Sequence, residues 1–201
     1  MQMATFKAAS AGSIGFAQVN NLIDHPTSVS VAYGSAQTAG DLNVVAVGWN
    51  DTVSSVSSVT DTKGNIYSLA VGPTRGTGLS QAIYYAKNIV AAAAGANTVV
   101  VKFNQTPAVP DIRILEYSGL STTSPLDVTA GAFGNSSSAS SGSAATTAAS
   151  ELIFGANMVA TATAGPGSTF TSRIITASGN LAEDSIVSVS YTHLDVYKRQ
   201  E

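Results

Sequence analysis

The chain has no cysteine, which removes disulfides, thiol nucleophiles and thiolate metal sites together. Charge is scarce too. Asp, Glu, Lys and Arg make up 10% of the residues, against about 25% in an ordinary soluble domain. Lys plus Arg number 9 and Asp plus Glu 12, a formal net charge of -3, so there is no cationic footprint for nucleic acid or anionic lipid. Apolar runs are short. The longest, such as residues 42–47, fall far below the roughly 18 to 20 residues that span a bilayer, and a membrane span is not expected. A secretory leader, a charged segment followed by an apolar stretch, is also missing from the opening MQMATFKAAS.

Small hydroxyl and methyl side chains fill the space that charge leaves: serine and threonine number about 48 and alanine about 31. With 44% hydrophobic residues in 201, one domain can bury enough apolar area to fold independently. Short β-rich runs alternate with turn clusters, and no helical periodicity is convincing. Residues 28–33 (SVSVAY) alternate as a strand. Residues 42–49 (LNVVAVGW) are apolar on both faces, as in a central strand covered on two sides. Val recurs every third residue in 53–60, which predicts a bulge, and DTKGN at 61–65 predicts a turn capped by Asp61 with Gly64 at positive φ. Further strands are expected over 66–71, 81–89, 97–103, 112–117, 126–132, 143–147, 152–159, 169–176 and 183–187, with a glycine-rich loop over 72–78. The predicted fold is all-β: an antiparallel two-sheet β-sandwich with jelly-roll character. A faint internal echo links 35–48 with 143–156, since both carry Ser-Ala, an acid-Leu pair and a hydrophobic run.

Both ends read as foreign to a single natural domain. Back-translated with one permitted codon per residue, residues 189–200 (VSYTHLDVYKRQ) give a string of about 34 bases that is its own reverse complement, which resembles a sequencing-library adapter. Residues 188–201 are therefore read as adapter-derived in a metagenomic fragment, and His193 is set aside with them. Residues 1–8 alternate like a strand and are read as the remnant last strand of a preceding repeat. Residues 9–187 then form one β-sandwich module truncated before its final strand. Residues 1–7 are expected to fill that vacant position, against 152–159 and 42–49.

The strings TAGDLNVVAVGWND, VTDTKGNIYSLAVGP, QAIYYAKNI, NTVVVKF and ILEYSGLSTTSPLD resemble a repeat module of large bacterial surface or secreted multidomain proteins. Such modules often end in a strand reading W-x-MQM-x-TF, similar to residues 1–6. The resemblance implies a β-sandwich with jelly-roll character, tandem repeats, neighbouring Ig-like domains, an extracellular or cell-surface location, and no established activity.

Residues suited to bond-breaking are few. Outside the tail His25 is the one imidazole, and its neighbour Asp24 points away from it in extended chain, so a Ser-His-Asp arrangement is not expected. Glycosidases need two carboxyls about 5 to 10 Å apart. Asp111 and Glu116 lie roughly 17 Å apart along a strand, on opposite faces, and Glu116 reads as a structural carboxylate. No His cluster suits zinc, DTKGN offers too few ligands for calcium, and GPTRGTG lacks the rest of a phosphate loop. No cofactor and no metal are expected, and the chain is read as not an enzyme.

Binding chemistry remains. Carbohydrate-binding sandwiches set aromatic rings against the C-H faces of sugars and use amides, carboxylates and Arg for the hydroxyls. The candidate ligand-binding residues are Trp49, Asn50 and Asp51 at one strand end, Arg75 in the glycine-rich loop, and the adjacent Tyr84 and Tyr85, one of which should face outward. The expected function is a non-catalytic extracellular adhesion or carbohydrate-binding module of a bacterial surface protein. Its partners would be glycans or cell-surface polymers, and neighbouring repeats in the same chain. A purely structural spacer repeat is the first alternative and a glycoside hydrolase-like enzyme the second.

Overall fold

A computed structural model describes residues 1–10 and 13–188; of the tail read as adapter-derived, all but Ser188 lies outside them. The described residues form thirteen strands: β1 (Gln2–Lys7), β2 (Gly15–Ile23), β3 (Ser28–Ala32), β4 (Leu42–Trp49), β5 (Val56–Asp61), β6 (Tyr67–Arg75), β7 (Ser80–Ala86), β8 (Thr98–Phe103), β9 (Asp111–Ser118), β10 (Leu126–Gly131), β11 (Glu151–Ala156), β12 (Thr171–Ile175) and β13 (Leu181–Val187). Among them no helix is long and apolar enough to cross a membrane.

All pairings are antiparallel, and the fold is an all-β sandwich. One five-stranded sheet has the order β10-β1-β11-β13-β12, a second β2-β9-β4-β7-β6, and a three-stranded sheet β3-β8-β5. The second sheet lies between the other two. Its strand β4 is buried throughout because both faces carry apolar residues, as expected of a central strand. Leu42, Val44 and Ala46 pack with Phe6, Leu152 and Phe154 of the first sheet. Val45, Val47 and Trp49 pack with Val29, Val31, Val99, Val101 and Phe103 of the third. At roughly 1.5 to 3 kcal/mol for each large side chain removed from water, these two cores dominate the favourable side of folding.

The two large sheets share one topology. In the second, the strands taken in chain order, β2, β4, β6, β7 and β9, stand at positions one, three, five, four and two. In the first, β10, β11, β12 and β13 take positions one, three, five and four, and β1 takes position two. The N-terminal strand thus stands where the last strand of the sister sheet stands. It pairs with β11 from Gln2↔Ala156 to Lys7↔Glu151 and with β10 on its other side, meeting the expectation for residues 1–7, and it packs face to face with β4. The echo between 35–48 and 143–156 leads into β4 and β11, the central strands of the two sheets.

The predicted bulge lies between Val56 and Ser58. Asp61 caps its turn, accepting from the amides of Lys63 and Asn65 at 3.0 Å, and Gly64 has φ 75°. Three expectations fail. The glycine-rich loop over 72–78 is largely strand, because β6 continues to Arg75 through register shifts. Residues 143–147 form no strand and lie as coil over the outer face of the first sheet, where Ala144 packs near Met3, Ile153 and Phe170. Strand β2 was not anticipated, since GFAQVNNLI is an edge strand with no fully buried residue and so alternates weakly.

One ion pair sits between the large sheets. Arg113 and Asp111 are both 0% exposed, two apart on β9 and so on one face. Arg113 Nε stands 3.2 Å from Asp111 Oδ1 without hydrogen-bond alignment. Nη1 donates to Leu181 O at 2.6 Å and Asn157 O at 2.9 Å, and Nη2 to Gln81 Oε1 at 3.2 Å. Asp111 Oδ2 accepts from Thr176 Oγ1 and Asn180 Nδ2. Burial pulls the guanidinium below its usual range and Asp111 opposes that shift. Removing one partner strands the other charge in the core. Arg113→Ala is expected to lower stability by about 3 to 5 kcal/mol, read from the urea midpoint; a loss under about 1 kcal/mol would show the pair to be dispensable.

Candidate functional site

A cleft of about 760 Å³ opens at one end of the two large sheets. Gln2, Gln81 and Asn157 form its floor. Thr74, Gly76, Thr77 and Leu79 of the β6–β7 hairpin make one wall, and residues 158–161 another. Phe133 and the serine-rich segment that follows β10 close the third side.

The floor is rigid because its amides are tied to the buried ion pair. Gln2 Nε2 donates to Thr74 Oγ1 and Gln81 O, both at 2.9 Å. Gln81 Nε2 donates to Gln2 Oε1 at 3.2 Å and Ala156 O at 3.0 Å, while its carbonyl oxygen receives Arg113. Asn157 Oδ1 accepts from Leu181 N at 2.8 Å. Gly72 permits this approach: at φ 106°, a Cβ there would lie 2.5 Å from Gln2 Nε2 and 2.7 Å from Gln81 O.

Phe133 is the aromatic ring of the cleft. It is 68% exposed and lies against the Gly76 backbone, where an added Cβ would be 3.3 Å from Phe133 Cβ. The remaining side chains are hydroxyls, amides and aliphatic groups, Met1, Leu79 and Met158 among them. No Asp, Glu, Lys, Arg or His lines the cleft among the described residues. The lining side chains therefore offer hydrogen-bond donors and acceptors without charge, beside one exposed apolar face, and the Met1 α-ammonium is engaged by Ala132 O at 2.8 Å.

The residues singled out from sequence lie elsewhere. Trp49 is 0% exposed, edge-on to Phe103 at 5.5 Å, so its ring is not available to a surface ligand; the third sheet covers it. Arg75 does come to Trp49, 5.8 Å over the ring, and donates to Ser54 O and Ser55 Oγ at 3.0 Å. Asp51 accepts from the amides of Val53, Ser54 and Ala108, which hold its carboxyl below the usual range against the opposing effect of burial. Asn50 is exposed. Trp49, Asp51 and Arg75 thus assemble, and their contacts organise a loop. Tyr84 and Tyr85 point to opposite faces, but both faces are covered. Each is half-buried, Tyr84 against the core around Trp49 and Tyr85 edge-on to Phe6 at 5.5 Å.

The sequence reading missed Phe133. Its signal was present: a lone large aromatic between Gly131 and Gly134, directly before a run of serines, has no strand to pack into.

Two carboxyl pairs lie outside the cleft. Asp41 sits against Glu116, whose oxygens accept from Gln18 Nε2 at 2.5 Å and Thr38 N at 3.2 Å. Burial, and then Glu116, pushes Asp41 up to about 6. Glu151 sits against Asp127, and burial followed by that contact pushes it up to about 7.

No protein-family model, curated protein or solved structure matches the chain.

A carboxyl raised in the folded state binds a proton more tightly there than in the unfolded chain. The stability it contributes is full below its unfolded value and is lost as pH rises through its folded value. Asp41 and Glu151 therefore weaken the fold between about pH 4 and 7. Thermal midpoints are expected to fall from pH 5 to pH 8, and Asp41→Asn to flatten that slope. A rising midpoint over the same range would refute the assignment.

Proposed function

We propose that the chain is a non-catalytic, extracellular carbohydrate-binding or adhesion module of a bacterial surface protein, and that the cleft at Phe133 is its glycan site. One observation carries the reading: a cleft of uncharged side chains whose floor is a fixed amide network and whose rim is hydroxyl-rich, with one exposed ring beside it. Sugars present C-H faces that stack on such a ring and hydroxyls that pair with amides and hydroxyls. A volume of about 760 Å³ suits a short oligosaccharide, since ligand sites usually run to about 300 to 1,000 Å³. A charged ligand would meet no countercharge among the lining side chains. Acid-base hydrolysis would need carboxyls flanking the bond, and the two carboxyl pairs stand outside the cleft.

A structural spacer is the second reading, and the burial of Trp49 favours it. In that case the cleft is an unused gap between sheets and the neutral Ser/Thr surface serves solubility alone.

A screen of neutral oligosaccharides against the full chain separates the two. Binding is expected, and Phe133→Ala should weaken it about tenfold or more, equivalent to roughly 1.4 kcal/mol. The exposed ring should leave the melting temperature nearly unchanged on removal. Absence of binding across neutral glycans, or binding indifferent to Phe133, would leave the spacer reading in place.

A further inference from the structure

We propose that Lys7 and Asp127 form an intramolecular isopeptide bond, Lys7 Nζ to Asp127 Cγ, with Glu151 as the proton-transferring catalytic residue. This goes beyond the cleft and is independent of what the cleft binds.

The three side chains come from three adjacent strands of the first sheet, β10, β1 and β11. Lys7 stands directly opposite Glu151 in the β1–β11 register, and its Nζ is 3.7 Å from Asp127 Oδ1. The Asp127 and Glu151 side chains are shielded, with 5% exposure at Asp127 and 0% at Glu151. Thr147, in the coil that covers this face, clamps the acceptor: its amide donates to Asp127 Oδ2 at 2.6 Å and its hydroxyl to Oδ1 at 2.5 Å.

Glu151 Oε1 accepts from Ala148 N at 3.1 Å, the Thr5 hydroxyl reaches the same carboxyl, and the buried Oε2 has no aligned hydrogen-bond partner. The Glu151 carboxyl lies against that of Asp127. Two carboxyls can share such a contact only if one holds a proton. Burial favours the proton on Glu151, and Lys7 with Thr147 favours the anion on Asp127. An amine and a buried acid thus stand on either side of one clamped carboxylate. The sister sheet lacks the amine: Ser118 follows Tyr117 on β9 as Lys7 follows Phe6 on β1.

The condensation balances without any co-reactant. Lys7 gives one ammonium proton to the Asp127 carboxylate, leaving a neutral amine and a neutral acid. The Nζ lone pair attacks Cγ, and the carbonyl electron pair moves onto the oxygen held by the Thr147 amide. Glu151 protonates the departing hydroxyl, which leaves as water. The C=O re-forms, and Glu151 recovers a proton from Nζ. One ammonium and one carboxylate become one amide and one water.

The test is the intact mass of the purified full chain. It should be lower than the sequence mass by one water, and tryptic digestion should yield a branched peptide joining residues 1–63 to 114–173, since cleavage after Lys7 is blocked. Lys7→Arg keeps the cation without a competent nucleophile and should restore the sequence mass. Glu151→Gln should restore it too. A folded wild-type chain at its full sequence mass would overturn the proposal whatever the variants do, and so would a linkage that survives Glu151→Gln.

Discussion

The structure depends on one guanidinium held out of water. Arg113 is wholly enclosed between the two large sheets. Its Nη1 and Nη2 donate to carbonyls of Asn157 and Leu181 and to the Gln81 side chain, while Nε faces Asp111 without a hydrogen bond. A buried charge is costly unless it is paired and hydrogen-bonded, so the relative position of the sheets near this point is set by polar geometry as much as by apolar contact. The same set of bonds orients Gln81, which orients Gln2. The floor of the cleft is thus an extension of the ion pair, and its amides are fixed before any ligand arrives. Preorganisation of that kind reduces the ordering cost of binding.

The equivalence of the two large sheets gives the fold its economy. One strand order serves twice, with the apolar faces of β4 and β11 turned to each other and the third sheet covering only the second. β1 completes the first sheet from the far end of the chain: its partners β10 and β11 lie more than a hundred residues away in sequence. Contacts of that separation form late and are entropically costly to close. The polar cluster of Lys7, Asp127, Glu151 and Thr147 lies at the end of this strand, where a tether has most to restrain.

Period-2 alternation exposed most strands, and the two-sided apolarity of LNVVAVGW identified the centre of the molecule. Asp61 and Gly64 identified their turn because a side-chain cap and a positive φ are local requirements. The site was far less legible. Trp49 beside Asn50 and Asp51 carries the composition of a sugar site, yet a third layer of strands encloses the ring. Nothing local in the sequence marks Arg113 as buried. Phe133 lay unremarked in a serine-rich stretch that favours no regular structure.

By itself the sequence determined what the molecule is made of: antiparallel strands, few titratable groups, a neutral hydroxyl-rich surface and no thiol chemistry. Those follow from composition and nearest-neighbour geometry, which act at short range along the chain. Tertiary structure decided which aromatic ring meets solvent, which carboxyls lie against one another and where the cleft opens. Each of these depends on strands far apart in sequence being laid side by side, and burial belongs to the layer above a residue rather than to the residue.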